Sequence, residues 1–178
     1  MAGRRDRGAA LTRVILQIFK LNGRLLAAGD RLVEDVGLSS AKWQVLGAIA
    51  LAHTPQPVAN IARMMGLSRQ AVQRTVNELR AMRLLEFAPN PHHQTAQLVL
   101  LTRNGRAAYA TAHERQRPWA DALAQGLREG ELTIAERVLS QLTERLETAE
   151  RSAVSLARRR KRPRVKPGKP RRVYGEAR

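Results

Sequence analysis

Arginine and carboxamide side chains recur on one side of residues 68–82. If this segment is a helix, six of them share the face opposite its apolar stripe: Arg69, Gln70, Gln73, Arg74, Asn77 and Arg80. Arginine can donate two hydrogen bonds to guanine O6 and N7, and glutamine or asparagine can pair in the same way with adenine. A solvated charged face is the ordinary alternative, but these residue types favour contact with DNA base edges.

Ser68 stands directly before this face, where serine commonly caps a helix. The start of a helix also presents backbone N–H groups that have no partner within the helix, and these suit a phosphate oxygen. We therefore predict that Ser68 takes part in DNA binding.

A polar tip lies between two short apolar runs, residues 84–88 and 97–101. We predict that four of its side chains contact DNA: His92, His93, Gln94 and Thr95. Neighbouring histidines also suggest a metal site, but two of them on one tip rarely converge on an ion, and no carboxylate lies at ligand spacing. We therefore expect no metal.

No residue pattern typical of catalysis is present. The sequence has no cysteine, no glycine-rich phosphate loop after a strand and no recognisable nucleophile–base pair. Asp30, Glu34 and Asp35 near the end of the first helix fit a solvated face. The protein is therefore not expected to be an enzyme, and no catalytic residue or cofactor is predicted.

The charge of the chain is strongly positive and uneven. Its 178 residues contain 32 Lys+Arg and 15 Asp+Glu, for a net charge of +17, and residues 158–178 alone hold 11 basic residues and one acid. This last segment has three prolines and no apolar period, so we predict a disordered tail that makes sequence-independent phosphate contacts. A merely solubilising tail is the alternative.

The composition excludes other classes. Hydrophobic residues make up 43% of the chain, enough for a core, yet the longest uncharged apolar run, 45–52, is far shorter than the roughly 20 residues that span a bilayer. We expect no membrane partner and a cytoplasmic, nucleoid-associated protein.

The elements that must position the polar face follow from the apolar spacing. We predict helices over 41–53, 58–65 and 69–82, a loop at 54–57, and strands at 84–88 and 97–101. Two helices joined by a tight turn at Gly66 form a helix-turn-helix, and the strand–tip–strand segment after it is a wing. The inward stripe of the second helix is predicted to be Ala71, Val72, Thr75, Val76 and Leu79.

Long amphipathic helices flank this unit. One runs over 10–37 and ends at Gly37; another begins near Arg103 with Thr102 as its cap, and a last one follows Gly130. Gly29 interrupts the first stripe, so looser packing or a partner chain is expected there. The apolar stripes exceed what a winged-helix core can cover, which predicts a homodimer.

The sequence resembles the MarR family of multiple-antibiotic-resistance regulators. The resemblance lies in 38–46 (L-S-S-A-K-W-Q-V-L), 61–74 (I-A-R-M-M-G-L-S-R-Q-A-V-Q-R), 98–106 and 145–147, and covers about residues 10–150. It implies a dimeric winged-helix repressor or activator on a pseudo-palindromic operator. It also implies a small aromatic or anionic effector as a possible partner, with Arg13, Lys20, Arg24 and Trp43 as candidates for its site; for Trp43 a core position is the alternative.

The wing departs from the family pattern. Family wings commonly read D-P-x-D-R-R-A, with an arginine in the minor groove, whereas residues 90–96 read N-P-H-H-Q-T-A. Neutral side chains exploit the negative potential of a narrow minor groove less well than arginine, so weaker or different readout is expected here.

These observations predict a mainly α fold with a small β-wing: a winged helix-turn-helix domain plus long terminal dimerisation helices. The predicted organisation is an N-terminal arm (1–9), a MarR-like domain (10–157) and a basic tail (158–178). Within the domain, 38–102 bind DNA and 10–37 with 103–157 dimerise. A sequence-specific regulator, most simply a repressor released by an effector, is the favoured function. An architectural nucleoid protein is the alternative, and a non-DNA adaptor is a third.

Overall fold

The computed structural model describes residues 2–93 and 95–160. In this part of the chain it is mainly helical, with one small antiparallel sheet, as predicted. The elements are α1 (Ala2–Val33), α2 (Ser40–Ala50), β1 (Gln56–Pro57), α3 (Val58–Met64), α4 (Arg69–Ala81), β2 (Leu85–Ala88), β3 (Leu98–Leu101), α5 (Arg103–Ala124) and α6 (Glu129–Arg160). The chain divides into two compact units between Gln125 and Gly126.

Helix α1 is longer than predicted at its N-terminus. It begins at Ala2, so residues 2–9 are helical rather than a separate arm. A 3-10 turn over Glu34–Val36 follows α1, and Gly37, with a φ of 73°, takes the left-handed conformation that closes it. The predicted stop at Gly37 is therefore confirmed.

Helix α2 is fixed against α1 by its first turn. The Ser39 Oγ accepts from the Lys42 N–H at 3.4 Å, and Asp30 Oδ1 accepts from the Ser40 N–H at 2.6 Å. A side chain at Gly29 would overlap the Ser40 hydroxyl. The expectation of loose packing at Gly29 was therefore wrong, because this buried glycine allows α1 and α2 to approach closely. Asp30 is exposed, as expected for a solvated face, and its carboxylate also holds the start of α2.

The helix-turn-helix forms as predicted. Helix α3 ends in a turn in which Gly66 has a φ of 64°, and Ser68 then caps α4 by accepting from the Ala71 N–H at 3.2 Å. Side chains from α2, α3, α4 and β3 meet in the core of the first unit. The fully buried ones include Leu46, Ile61, Val72, Val76, Leu79 and Val99.

The wing sheet has three strands rather than two. Strand β3 lies in the centre, with β1 and β2 antiparallel on either side of it, and Val99 is paired with both Gln56 and Phe87. The segment 54–57, predicted as a loop, therefore contributes an edge strand. An edge position tolerates Pro57 because one side of an edge strand needs no donor.

Thr102 ties the base of the wing to α5. Its Oγ1 accepts from the Gly105 N–H at 3.0 Å and its hydroxyl donates to the Arg83 carbonyl at 2.8 Å, while the Thr102 N–H donates to the Leu84 carbonyl at 3.1 Å. A Cβ at Gly105 would overlap that Leu84 carbonyl. The predicted cap is confirmed, and Gly105 lets α5 start in direct contact with the wing base.

Helix α5 ends at Ala124 and contains Pro118. Arg115 of α5 forms an ion pair with Asp35. Asp35 is 68% exposed, so it lies on a solvated face as expected, and there it makes this surface ion pair.

The second unit is described by α6. Several of its apolar side chains are exposed, among them Leu132, Leu139 and Leu146. Helix α6 continues through Arg160, so residues 158–160 are helical rather than part of a disordered tail. The rest of the predicted tail, 161–178, lies outside the described residues. Over the described ranges, no helix is long and apolar enough to cross a membrane.

Candidate nucleic-acid interface

Helix α4 presents the predicted polar face to solvent. Arg69, Gln70, Arg74, Asn77 and Arg80 are exposed and Gln73 is half-buried. The helix is held from behind by Val72, Val76 and Leu79, which are fully buried. This arrangement matches that of a helix that docks one face into a groove.

The buried stripe of α4 is narrower than predicted. Ala71 is exposed and Thr75 is half-buried, with its hydroxyl donating to the Ala71 carbonyl at 3.2 Å. The prediction that Ala71 belongs to the inward stripe was therefore wrong. Val72, Val76 and Leu79, which are larger and lie about one helical turn apart, already fill the contact between α4 and the core. The exposed surface of α4 consequently reaches further round the helix.

A concave surface joins the face of α4 to the wing. Residues from β1, α4, β2 and the segment before β3 line it, including Arg69, Gln73, Asn77, Arg80 and Thr95. Five of the predicted site residues are thus brought together. Gln70 and Arg74 lie outside this lining, on the same helix.

Two contacts order this concave surface. The Gln73 Nε2 donates to Asn77 Oδ1 at 3.0 Å, so the two carboxamides form one donor–acceptor pair. The Arg80 guanidinium lies over the Phe87 ring of β2, 5.2 Å from its centre. Because a cation is attracted to an aromatic face, this contact places the positive charge at the seam between helix and wing. Phe87 was not among the predicted site residues, because its part depends on a contact between two elements that are apart in the sequence.

The wing tip is organised by Asn90. Its Oδ1 accepts from the His92 N–H at 3.0 Å and its Nδ2 donates to the Ala96 carbonyl at 2.9 Å, which closes the tip across its base. His92, His93 and Thr95 are exposed, and the Thr95 Oγ1 lies 3.2 Å from His93 Nδ1. Gln94, the fourth predicted contact, lies outside the described residues.

Glu78 connects α4 to α2. Its Oε2 lies 2.9 Å from the Lys42 Nζ, and its Oε1 accepts from the Arg74 Nε at 3.2 Å. The Lys42 ammonium, together with the Arg74 guanidinium, holds the pKa of the Glu78 carboxyl below its ordinary value. A lowered pKa means that the stabilisation from this carboxylate is present at neutral pH and is lost as the pH falls through that lowered value. Lys42 was not among the predicted site residues, because only the packing of α2 on α4 brings it to Glu78.

The other candidate chemistry does not assemble. Among the described residues, no group of three histidine, aspartate or glutamate side chains is placed to hold a metal ion. Trp43 packs against the core, which agrees with the core alternative for that residue.

Two comparisons with known proteins bear on the family to which the chain belongs. The sequence model described as MarR family matches residues 36–94, which span the helix-turn-helix and most of the wing. The chain is also 35% identical over 105 residues to an uncharacterized protein of Mycobacterium tuberculosis, covering 59% of this chain and 72% of that protein. The chain belongs to the MarR family.

Solved structures show the same MarR fold. The crystal structure of a MarR/EmrR family transcriptional regulator from Acinetobacter superimposes with a TM-score of 0.70 at 20% identity, covering 77% of this chain and 96% of that one. CouR from Rhodococcus jostii, bound to p-coumaroyl-CoA, gives a TM-score of 0.66 at 19% identity and covers 72% and 90% of the two chains. This MarR-family chain is thus a winged-helix transcriptional regulator that binds DNA, and its family and fold are regulatory rather than enzymatic.

Proposed function

We propose that this protein is a homodimeric repressor that binds a pseudo-palindromic operator through α4 of each protomer. The observation that carries the proposal is the joined surface of helix and wing, where Arg69, Gln73, Asn77 and Arg80 share one concavity with Thr95. Arginine and carboxamide groups match the donor and acceptor pattern of the major groove. The adjoining wing residues then meet the neighbouring backbone.

The apolar surface of α1 supports dimerisation. In its first 25 residues Leu11, Val14, Ile15 and Leu25 recur at helical spacing and are exposed, as are Leu16 and Phe19. Helix α6, considered by itself, carries a similar exposed series at Leu132, Leu139 and Leu146. Exposed apolar stripes on long helices are satisfied by a second chain.

The dimer has a direct test. Sedimentation equilibrium at micromolar concentration should give a dimer for the unsubstituted protein and a monomer for Val14→Glu combined with Ile15→Glu. Leu51→Glu is the matched control, because Leu51 is 75% exposed and lies outside α1 and α6. A dimer that survives the paired substitution would contradict the use of this face.

Operator specificity is tested by selection of bound genomic fragments with the purified protein. A regulator should prefer one pseudo-palindrome over random duplex by about 10³-fold or more, with half-sites roughly 10 base pairs apart. A transcription assay from that site should then show repression.

An architectural DNA-binding protein is the second candidate. It is favoured by the 11 basic residues in 158–178 and by the absence of arginine and lysine from residues 84–102. Its binding would be mostly electrostatic, so operator and random duplex would be bound within about tenfold of each other. The same titrations therefore decide between the two.

We further propose release by a small aromatic anion. The supporting feature is a shallow surface on α1 where one guanidinium lies among mostly apolar side chains: Ala10, Arg13, Val14, Gln17, Ile18 and Leu21. Because Val14 also belongs to the stripe proposed for dimerisation, the ligand would bind at the edge of the contact between the two protomers. CouR, a structural neighbour, was solved with an aromatic CoA thioester, which makes aryl carboxylates and aryl-CoA thioesters the first ligands to try. Such a ligand should weaken operator binding in the unsubstituted protein and have less effect on Arg13→Met.

A further inference from the structure

Both oxygens of the Glu78 carboxylate are engaged, each by a cation from a different helix. Oε1 accepts from the Nε of Arg74, one turn earlier on α4, and Oε2 pairs with the Nζ of Lys42 on α2. Arg74 is 85% exposed, whereas Lys42 is only 23% exposed. The network of Lys42, Glu78 and Arg74 therefore runs from the side of α4 that packs on α2 to the exposed side that is proposed to contact DNA.

We propose that Glu78, anchored by Lys42, is a positioning residue for base recognition that orients the guanidinium of Arg74. The proposal rests on the function proposed above, since it needs α4 to read DNA. It assigns to an acidic residue on the DNA-binding helix a role in specificity that its charge alone would oppose.

The geometry at Arg74 leaves the useful donors available. Guanine is read by two parallel hydrogen bonds from one guanidinium to O6 and N7. Because Arg74 donates its Nε–H to Glu78 Oε1, the two terminal amino groups at the far end of the guanidinium remain available for that contact. The long arginine side chain otherwise loses rotamer freedom on binding, so a side chain already held in place loses less.

Lys42 adds a second ion pair to Glu78, which holds the carboxylate in place for Arg74. An exposed arginine–glutamate pair four residues apart on a helix is weak by itself. Lys42 lies in the first turn of α2, where its backbone N–H donates to Ser39 Oγ, and two residues earlier the Ser40 N–H donates to Asp30. The backbone of Lys42 is therefore held in place, and its side chain, only 23% exposed, has less freedom than that of a fully exposed lysine.

The charges also keep the network intact at neutral pH. The Lys42 ammonium and then the Arg74 guanidinium lower the pKa of the Glu78 carboxyl, so the carboxylate is ionised throughout the range in which DNA binding is measured. Between pH 8 and pH 6 the effect of Glu78 on base preference should accordingly stay constant.

The first experiment compares Glu78→Gln with Glu86→Gln. Glutamine keeps the size of the side chain but removes its negative charge and replaces one carboxylate oxygen by an NH2 donor, which would face either the Lys42 ammonium or the Arg74 Nε–H, so one of the two contacts is lost as it stands. We expect the preference for guanine over the other bases at one position in each half-site to fall about 3- to 10-fold, the range for freeing one ordered side chain. Glu86 lies exposed on β2 and provides the same loss of charge without the network, so its substitution should leave base preference unchanged.

A double-mutant cycle with Arg74→Ala separates positioning from a general charge effect. If Glu78 acts through Arg74, Glu78→Gln should not alter base preference once Arg74 is alanine. An equal loss of preference in both backgrounds would overturn the proposal. So would a parallel gain in affinity for operator and random duplex in Glu78→Gln and Glu86→Gln, because Glu78 would then act only as a negative charge near phosphates.

Lys42→Met supplies a second variant should Glu78→Gln fail to fold. It retains the Arg74–Glu78 pair but removes the anchor, so we expect a smaller loss of preference at the same base position. An unchanged preference in folded Lys42→Met would overturn the role of the anchor. If the unsubstituted protein shows no base preference at all, the proposed function itself fails, which is a different outcome from normal preference that survives Glu78→Gln.

Discussion

The face of α4 and the wing lie beside the same concavity but differ sharply in chemistry. Helix α4 contributes three arginines and three carboxamides, whereas residues 84–102 contain no arginine or lysine and one acid, Glu86. The described part of the wing is nevertheless held by specific hydrogen bonds, from Asn90 across its tip and from Thr102 at its base. A DNA-binding surface can therefore be held firmly in position without carrying the side chains that recognise bases, so these are separate properties.

This difference assigns distinct contributions to the two regions. We expect α4 to supply the base contacts, and the wing to supply shape and hydrogen bonds to the backbone without a large share of the charge. The cations that the wing lacks are plentiful at the C-terminus, where 161–178 include eight basic residues and one acid.

Gly105→Ala tests the firmness of the wing base, and its expected effect is the largest. The new methyl group would overlap the Leu84 carbonyl, which is backbone and cannot turn away, so we expect a loss of about 3 kcal/mol or more in unfolding free energy. Gly8→Ala is the control, since nothing lies within 4 Å of its added carbon and a helical glycine replaced by alanine should stabilise slightly. Denaturant unfolding of both variants is the measurement. Equal stability in the two would show that the wing base is loosely held.

Truncation after Arg160 tests whether the positive charge of residues 161–178 compensates for the absence of arginine and lysine from the wing. If about four phosphates are neutralised by the removed segment, the slope of log affinity against log salt should fall by about 3.6. Affinity at low salt should drop by about a hundredfold for operator and random duplex alike. A scrambled segment of the same composition should restore both, and failure to restore operator binding would show that this segment reads sequence.

Arg74→Ala and Gln70→Ala test the readout assigned to α4. Each lost bidentate contact should weaken operator binding by about 1–3 kcal/mol and relax the preference at one base pair. Arg63→Ala on α3 removes an exposed arginine from outside this face and should change all duplexes alike. Equal losses on operator and random duplex for Arg74→Ala would mean that this side chain contacts only the backbone.

Substitutions at the wing tip should have the smallest effects. His92→Ala with His93→Ala should change operator affinity by less than about threefold, because neutral side chains gain little from the minor-groove potential. His92→Arg with His93→Arg should strengthen binding by a few-fold, as added cations do near phosphates. A fluorescence anisotropy titration at fixed salt measures both. A large loss in the alanine variant would show that the wing reads DNA as strongly as α4.

The sequence predicted those parts of the fold that depend on local signals. Ser39, Ser68 and Thr102 cap their helices as expected, since a cap needs only a side chain and the next turn. The turn at Gly66 and the polar face of α4 follow from glycine conformation and from helical period in the same way.

The features that sequence reasoning missed are contacts between distant elements. Strand β1 has two residues, too few for an alternating pattern, and one of them is a proline. Asp30 and Lys42 look like ordinary surface charges until the packing of α2 brings them to Ser40 and Glu78. The first turns of α1 carry no apolar stripe, so a helix from Ala2 had no periodic signal.

Because a hydrogen bond closes the wing tip at its base, we expect that the tip can be exchanged without changing the rest of the domain. Strand β2 ends at Ala88, which pairs with Leu98 at the start of β3. Just beyond this pair, the hydrogen bond from the Asn90 side chain to the Ala96 carbonyl closes the tip. The described residues between Asn90 and Ala96 are all exposed, and His92, His93 and Thr95 are not part of the core. Protein engineers should therefore be able to graft tips of other lengths and charges between Asn90 and Ala96, and so retune operator preference without redesigning the domain.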